Sequence, residues 1–158
     1  MKVSDYICKN LPKLTGSKDV FLLSGGGMMH LLDSLGKSNL NPVSMHHEQA
    51  ASIAAYANGR SKNTIGICFA TSGPGATNAI TGTAAAFTDS VPMIFISGQV
   101  STATSQNKLG FRQLGFQEFN IIESVKSCTK YAKYISKKND IKYELEKAIY
   151  LSKNGRPG

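Results

Sequence analysis

The run Thr64-Ile65-Gly66-Ile67-Cys68-Phe69-Ala70 constrains the fold of this chain more than any other stretch. It is apolar without alternation and ends abruptly in Thr71-Ser72-Gly73-Pro74-Gly75. Alternation would suit a strand with one wet face, whereas a continuous run suits a strand covered on both faces. Two other apolar runs end in the same way. Asp19-Val20-Phe21-Leu22-Leu23 stops at Ser24-Gly25-Gly26-Gly27, and Pro92 to Ser97 stops at Gly98-Gln99. Helical spacing fills the intervals. Val3 to Leu14 carries apolar residues at Val3, Ile7, Cys8, Leu11 and Leu14, and Pro12 is expected to end or kink that helix. Met28 to Leu35 reads as a helix stopped by Gly36, and the alanine-rich Glu48 to Gly59 as one stopped by its own glycine. Gly75 to Phe87, Phe119 to Val125 and Asp140 to Ser152 complete the helices, while Leu40 to Ser44 and Thr129 to Ile135 read as further strands.

Strand and helix therefore alternate, which predicts an α/β fold: a doubly wound, mainly parallel sheet with helices on both faces. Phe21, Ile67 and Ile94 are expected on central strands. Right-handed crossovers place the loops that follow the strands along one edge, where such sheets bind ligands. Ser24 to Gly27, Thr71 to Asn78 and Gly98 to Gln117 should thus converge. No linker, internal repeat or low-complexity tract divides the chain, so residues 1–158 are read as one domain. Asn154-Gly155-Arg156-Pro157-Gly158 is a turn after a helix. Another strand normally follows such a turn, so the sheet is expected to lack its last strand and the chain to be the N-terminal fragment of a longer enzyme.

Composition excludes several classes. Apolar residues make up 41% and charged residues 18%, a globular balance. No apolar run approaches the ~20 residues of a membrane span, and the first residues do not resemble a signal peptide. A cytoplasmic location without a membrane partner is the expectation. The net charge is +8, and nine of the eighteen Lys and Arg lie from Lys126 onward. Asp140, Glu144 and Glu146 share that stretch and no nucleic-acid motif accompanies it, so it reads as a solvated face. Cys8, Cys68 and Cys128 are too scattered for a metal motif and read as reduced thiols.

The motifs narrow the chemistry. Gly25 to Gly27 do not fit Gly-x-Gly-x-x-Gly, which leaves a tight turn or a close approach to a ligand. Thr71 to Asn78 lacks the Gly-Lys-Ser/Thr ending of a phosphate loop, and Pro74 suits a helix start. Adjacent His46 and His47 point to opposite faces of a strand and cannot share one ion. Glu48 heads an alanine-rich helix, where a carboxylate interacts favourably with the helix dipole whatever else it does. The small residues from Gly75 to Ala86 suit close helix packing and are expected to form an interface between subunits.

His47-Glu48-Gln49-Ala50-Ala51, Ala70 to Asn78, Ser97-Gly98-Gln99-Val100, Phe116-Gln117-Glu118 and Cys128-Thr129-Lys130, in this order, carry a likeness over nearly the whole chain. The chain resembles the N-terminal, pyrimidine-binding domain of thiamine-diphosphate enzymes of the acetolactate synthase type. The resemblance implies decarboxylation of a 2-keto acid, pyruvate first among them, followed by carboligation. It implies that Glu48 hydrogen-bonds N1′ of the aminopyrimidine and favours the imino form that takes the proton from C2. A carboxyl in an apolar site resists ionisation, which suits proton sharing. It further places Gly25 and Gly26 against the cofactor, Pro74 and Asn78 at the border of the pyrimidine pocket, and Phe116 and Gln117 near the reacting centre. Glu48 and Gln117 are then the catalytic candidates. Magnesium and the diphosphate would be held by Gly-Asp-Gly…Asn in another domain, since this chain has no Gly-Asp-Gly. A flavin is left open. The implied assembly is a homodimer or larger, with each cofactor site shared between subunits. Ser24, His30 and the segment Asn107 to Gly115 depart from the family pattern and leave the acceptor substrate open. A split-subunit decarboxylase similar to sulfopyruvate decarboxylase, and a non-catalytic module of the same fold, are the alternative readings.

Overall fold

The computed structural model describes residues 1–105 and 110–158. In chain order the elements are α1 (Val3–Thr15), β1 (Asp19–Leu22), α2 (Met29–Gly36), β2 (Asn41–Ser44), α3 (Glu48–Lys62), β3 (Gly66–Ala70), α4 (Pro74–Asn78), α5 (Ile80–Thr88), β4 (Met93–Ser97), α6 (Ile121–Val125) and α7 (Ile141–Lys153). The strands form one all-parallel sheet in the order β2-β1-β3-β4. The doubly wound architecture read from the sequence is the one observed.

Side-chain alternation along the strands sends helices to both faces. Val20, Leu22, Ile67, Phe69 and Ile94 join Leu11 of α1, Leu31 and Leu35 of α2, and Leu145 and Ile149 of α7. The intervening residues Phe21, Cys68, Met93 and Phe95 pack with Ala51 and Ala55 of α3. Every residue of β3 is buried, as its unbroken apolar run requires. Each fully buried large side chain of this kind contributes about 1.5–3 kcal/mol. On the edge, all of β2 is exposed. Asn41 and Met45 donate their N–H groups to Lys18 and Leu22, so alternate residues face inward and Pro42 falls at an outward position. An edge strand tolerates proline there because no ladder bond is lost.

The face bearing α3 is built from small residues. A Cβ on Gly66 would lie 2.2 Å from the Ala55 carbonyl oxygen, and one on Gly82 would lie 2.4 Å from the carbonyl carbon of Ser52. Backbone therefore meets backbone along α3, β3 and α5. Gly82, Thr83 and Ala86 are buried in this seam. Part of the small-residue stripe expected to serve a subunit interface is packed inside the chain, while Thr81 remains exposed.

Several local expectations are corrected. Pro12, expected to end or kink α1, falls in its last turn, and the helix runs three residues further to Thr15, with Leu11 and Thr15 both buried. Gly16, at φ 74°, closes that helix by donating its N–H to the Pro12 carbonyl. Gly59 does not stop α3. It lies inside the helix, and a Cβ there would sit 2.7 Å from the Gly66 nitrogen, so its smallness serves the return to β3. The helix ends instead at Asn63, φ 52°. The stretch from Gly75 to Phe87 is broken at Ala79 into α4 and α5. Thr129 to Ile135 is not a strand. Ile94 and Ile96 of β4 and Tyr131 and Ile135 all line one cavity of about 790 Å³, and no strand pairs with the free edge of β4 among the described residues. β4 is therefore an edge strand, and Ile94 is not on a central one.

Cys8, Cys68 and Cys128 are free thiols. Burial pushes Cys8 up to about 11 and raises Cys128. Among the described residues no helix is long and apolar enough to cross a membrane.

Candidate functional site

The chain leaves β1 toward β2 and leaves β3 toward β4, so strand order reverses between the adjacent carboxyl ends of β1 and β3. A crevice opens at such a reversal. Thr71, buried just beyond β3, organises it. Its Oγ1 accepts the N–H of Gly27 at 2.9 Å. A Cβ on Gly25 would lie 2.5 Å from Thr71 Cβ, and one on Gly75 would lie 2.6 Å from Thr71 Cγ2. Both loops thus close on one threonine, and only glycine leaves room. Gly98, after β4, presses on the same point, since a Cβ there would sit 2.0 Å from the Gly27 carbonyl oxygen. Gly73 has φ 57°, and a Cβ on it would sit 2.2 Å from the Gln117 carbonyl oxygen. The three loops converge, as their places after strands predict.

Glu48 enters the crevice from the opposite side. It is the first residue of α3, and the preceding His47 caps the helix by accepting the Gln49 N–H on Nδ1 at 3.1 Å. Glu48 is buried, 7% exposed. Its Oε2 accepts a hydrogen bond from Asn78 Nδ2 at 3.1 Å, and its Oε1 lies 3.1 Å from where a Gly75 Cβ would stand. Cys68 lies close by: burial first, and the Glu48 carboxylate second, push its thiol up to about 12.

The predicted residues fall into two neighbouring groups. Glu48, Asn78 and Gly25 gather around Thr71 and Gly75. Pro74, Phe116 and Gln117 line a hollow of about 370 Å³ with Gly73, Thr77 and Gln113. Glu48 does not line that hollow, and the consecutive Pro74 and Gly75 join the two groups. Gly26 faces open space, with nothing within 4 Å of its Cβ position. Asn78, Pro74, Gln117 and Phe116 are exposed, Phe116 to 84%. The arrangement is one wall of a site with its acid recessed. The larger cavity beside β4 has a mixed lining that includes Gln99, Glu118, Lys130 and Glu144, and Glu48 is not part of it. Asn107 to Leu109, part of the departure noted in the sequence, lie outside the described residues. Among the described residues no group of three or more His, Cys, Asp or Glu could hold a metal ion.

Sequence reasoning passed over Thr71 and Glu118. Thr71 gave a signal, as a hydroxyl at the end of a fully apolar strand. Glu118 gave another, as a lone acid following two site candidates.

A parallel α/β layer with a recessed glutamate at its carboxyl edge has a family counterpart. The chain matches "Thiamine pyrophosphate enzyme, N-terminal TPP binding domain" over residues 1–124, and it belongs to that family. Among curated proteins it is similar to acetolactate synthase 2, chloroplastic, of Zea mays, 38% identical over 163 residues that cover 99% of this chain and 24% of the relative. The acetolactate synthase isozyme 3 large subunit of Escherichia coli (strain K12) is 38% identical over 144 residues, 90% of this chain and 24% of the relative. The probable acetolactate synthase large subunit of Methanocaldococcus jannaschii is 37% identical over 158 residues, 100% of this chain and 26% of the relative. The chain thus spans about a quarter of the length of these relatives.

Proposed function

We propose that this chain forms the pyrimidine-binding half of a thiamine-diphosphate site in an acetolactate-synthase-like enzyme that decarboxylates a 2-keto acid, pyruvate first, and ligates the product to an acceptor. The observation that carries this reading is the recessed Glu48 carboxylate, held by Asn78 beside glycine-walled loops. The residues fit such a group: an acid faces a crevice floored by Gly75, and Gly26 leaves an open backbone approach. Bound thiamine diphosphate would supply the electron sink for loss of carbon dioxide. Glu48 holds and returns a proton at its carboxylate. Asn78 fixes Oε2 and so orients Oε1 toward Gly75. Phe116 and Gln117 form the wall met by the keto acid, and their exposure fits a surface completed by another domain. The resemblance to acetolactate synthase large subunits along most of the chain favours a carboligase over a split decarboxylase or a non-catalytic module.

Residues 1–158 are taken as one pyrimidine-binding domain, because Leu145 and Ile149 of α7 share the core of α1 and α2. Magnesium and diphosphate ligands are assigned to a domain outside this chain, and no residue here is assigned to a flavin. The isolated 158-residue chain should therefore bind thiamine diphosphate with magnesium weakly or not at all, and be inactive. Calorimetric titration tests this. Micromolar binding, about −8 kcal/mol, would put the cofactor's affinity in this chain and overturn the division.

The enzyme carrying this domain is proposed to be a cytoplasmic homodimer or larger, with each site shared between subunits. Phe111, Leu114 and Phe116, beside the hollow at Pro74, are exposed apolar side chains that a partner surface would cover. Light scattering should find at least a dimer. An active monomer would remove this part of the reading.

A further inference from the structure

The turn Gly115-Phe116-Gln117-Glu118 presents two site candidates and is held in an unfavourable backbone shape. Gln117 has φ 58°, in the left-handed region that turns usually give to glycine. The Glu118 N–H closes the turn on the Gly115 carbonyl at 3.1 Å. The Glu118 side chain then doubles back. Its Oε2 accepts the N–H of Leu114 at 3.0 Å and that of Gly115 at 3.2 Å, while its Oε1 accepts the Ser105 hydroxyl at 2.9 Å. Glu118 is itself buried, 7% exposed, whereas Phe116 and Gln117 between these anchors are exposed. Behind the turn, Gly73 leaves room for the Gln117 carbonyl.

We propose that Glu118 is a positioning residue: its carboxylate clamps the turn so that Phe116 and Gln117 stand over the hollow beside Pro74. A buried carboxylate that accepts three hydrogen bonds from the described residues of a loop is a strong tie, because a charged acceptor strengthens each bond and its loss leaves donors unpaired. Backbone strain of the kind seen at Gln117 persists only where the surroundings over-determine it. Glu118 touches neither Glu48 nor Asn78 in the described contacts, so the clamp acts on the substrate wall and not on the acid. The consequence for turnover rests on the function proposed above, whereas the clamp itself does not.

The test compares Glu118→Ala, Glu118→Gln and Gln117→Ala in the full enzyme. Amide hydrogen exchange at Leu114 and Gly115 reads the clamp without reference to activity. It should speed up by about tenfold or more in Glu118→Ala. Glutamine keeps an oxygen for the two amides and should restore protection. In kinetics, Glu118→Ala should lower keto-acid kcat/KM by about 10- to 100-fold, as misplacement of a positioned group does. The apparent affinity for thiamine diphosphate should stay within about twofold, since the acid and its helix are untouched. Unchanged exchange in Glu118→Ala overturns the clamp, and so does a glutamine variant as impaired as alanine. Faster exchange with normal turnover overturns the positioning role. If Gln117→Ala is also fully active, the fault lies instead with the role given to Gln117, and the exchange result still decides the clamp.

Discussion

Replacing Glu48 with glutamine should slow exchange of the C2 proton of bound thiamine diphosphate by about 10²- to 10⁴-fold, the usual worth of a positioned acid–base group. The fold should survive. The amide oxygen of glutamine can accept from Asn78 as Oε2 does at 3.1 Å. The helix keeps its cap, because His47 Nδ1 and not Glu48 receives the Gln49 N–H. Loss of a negative charge in the first turn of α3 costs about 0.3–1 kcal/mol, a small shift in melting temperature. What disappears is the group that can hold and return a proton. His47 is not placed to replace it, since its ring is held at the cap by the Gln49 N–H and is exposed while Glu48 is buried. Proton exchange measured by NMR after acid quench is the readout. A rate equal to that of the unmutated enzyme would reduce Glu48 to a helix-terminal charge, and the proposed chemistry would have to be withdrawn.

Phe69→Ala should destabilise the chain by about 3–5 kcal/mol, the usual cost of emptying a buried aromatic site. Phe69 is 0% exposed and sits on β3, between α1, α2 and α7 on one face and strands on either side. Neighbours on a parallel sheet cannot collapse into the gap without breaking register with β1 and β4. Such a loss is a large part of the roughly 5–15 kcal/mol that holds most domains together. Urea unfolding should show a lower midpoint with little change in slope. A shift below about 1 kcal/mol would mean that the core on this face repacks freely, contrary to the tight layering described above.

The sheet was legible because β3 announces itself: an unbroken apolar run has few other uses. The convergence of the loops followed from parallel topology alone. Thr129 to Ile135 was misread because Tyr131, Tyr134 and Ile135 have strand propensity, which reports a side chain's liking for a half-buried surface and says nothing of whether a backbone lies alongside. Gly59 was misread for the converse reason. It is a poor helix residue locally, and the close passage of Gly66 outweighed that preference. Within the candidate site, Glu48 stood out because an acid among alanines is conspicuous. Its partner Asn78 was legible one helical turn beyond Pro74. The organising role of Thr71 was not, because it depends on Gly25 and Gly27, more than forty residues earlier in the chain, closing on its side chain.

The seam of α3, β3 and α5 has a further consequence. Alanine and glycine have no rotamers with which to absorb an error, so Ala51, Ala55, Gly66 and Gly82 form a stiff joint without cushioning. At its far end Lys62 is tied to Asp19 at the start of β1, and at its near end Glu48 is tied to Asn78. A displacement along the seam therefore has few side-chain rotamers to absorb it before it reaches the element that carries the carboxylate. Tolerance to substitution should then be ordered by distance from this joint and not by distance from Glu48. Positions near Gly82 would register as changes in proton transfer, whereas the exposed residues of β2, which lie off the joint, would not.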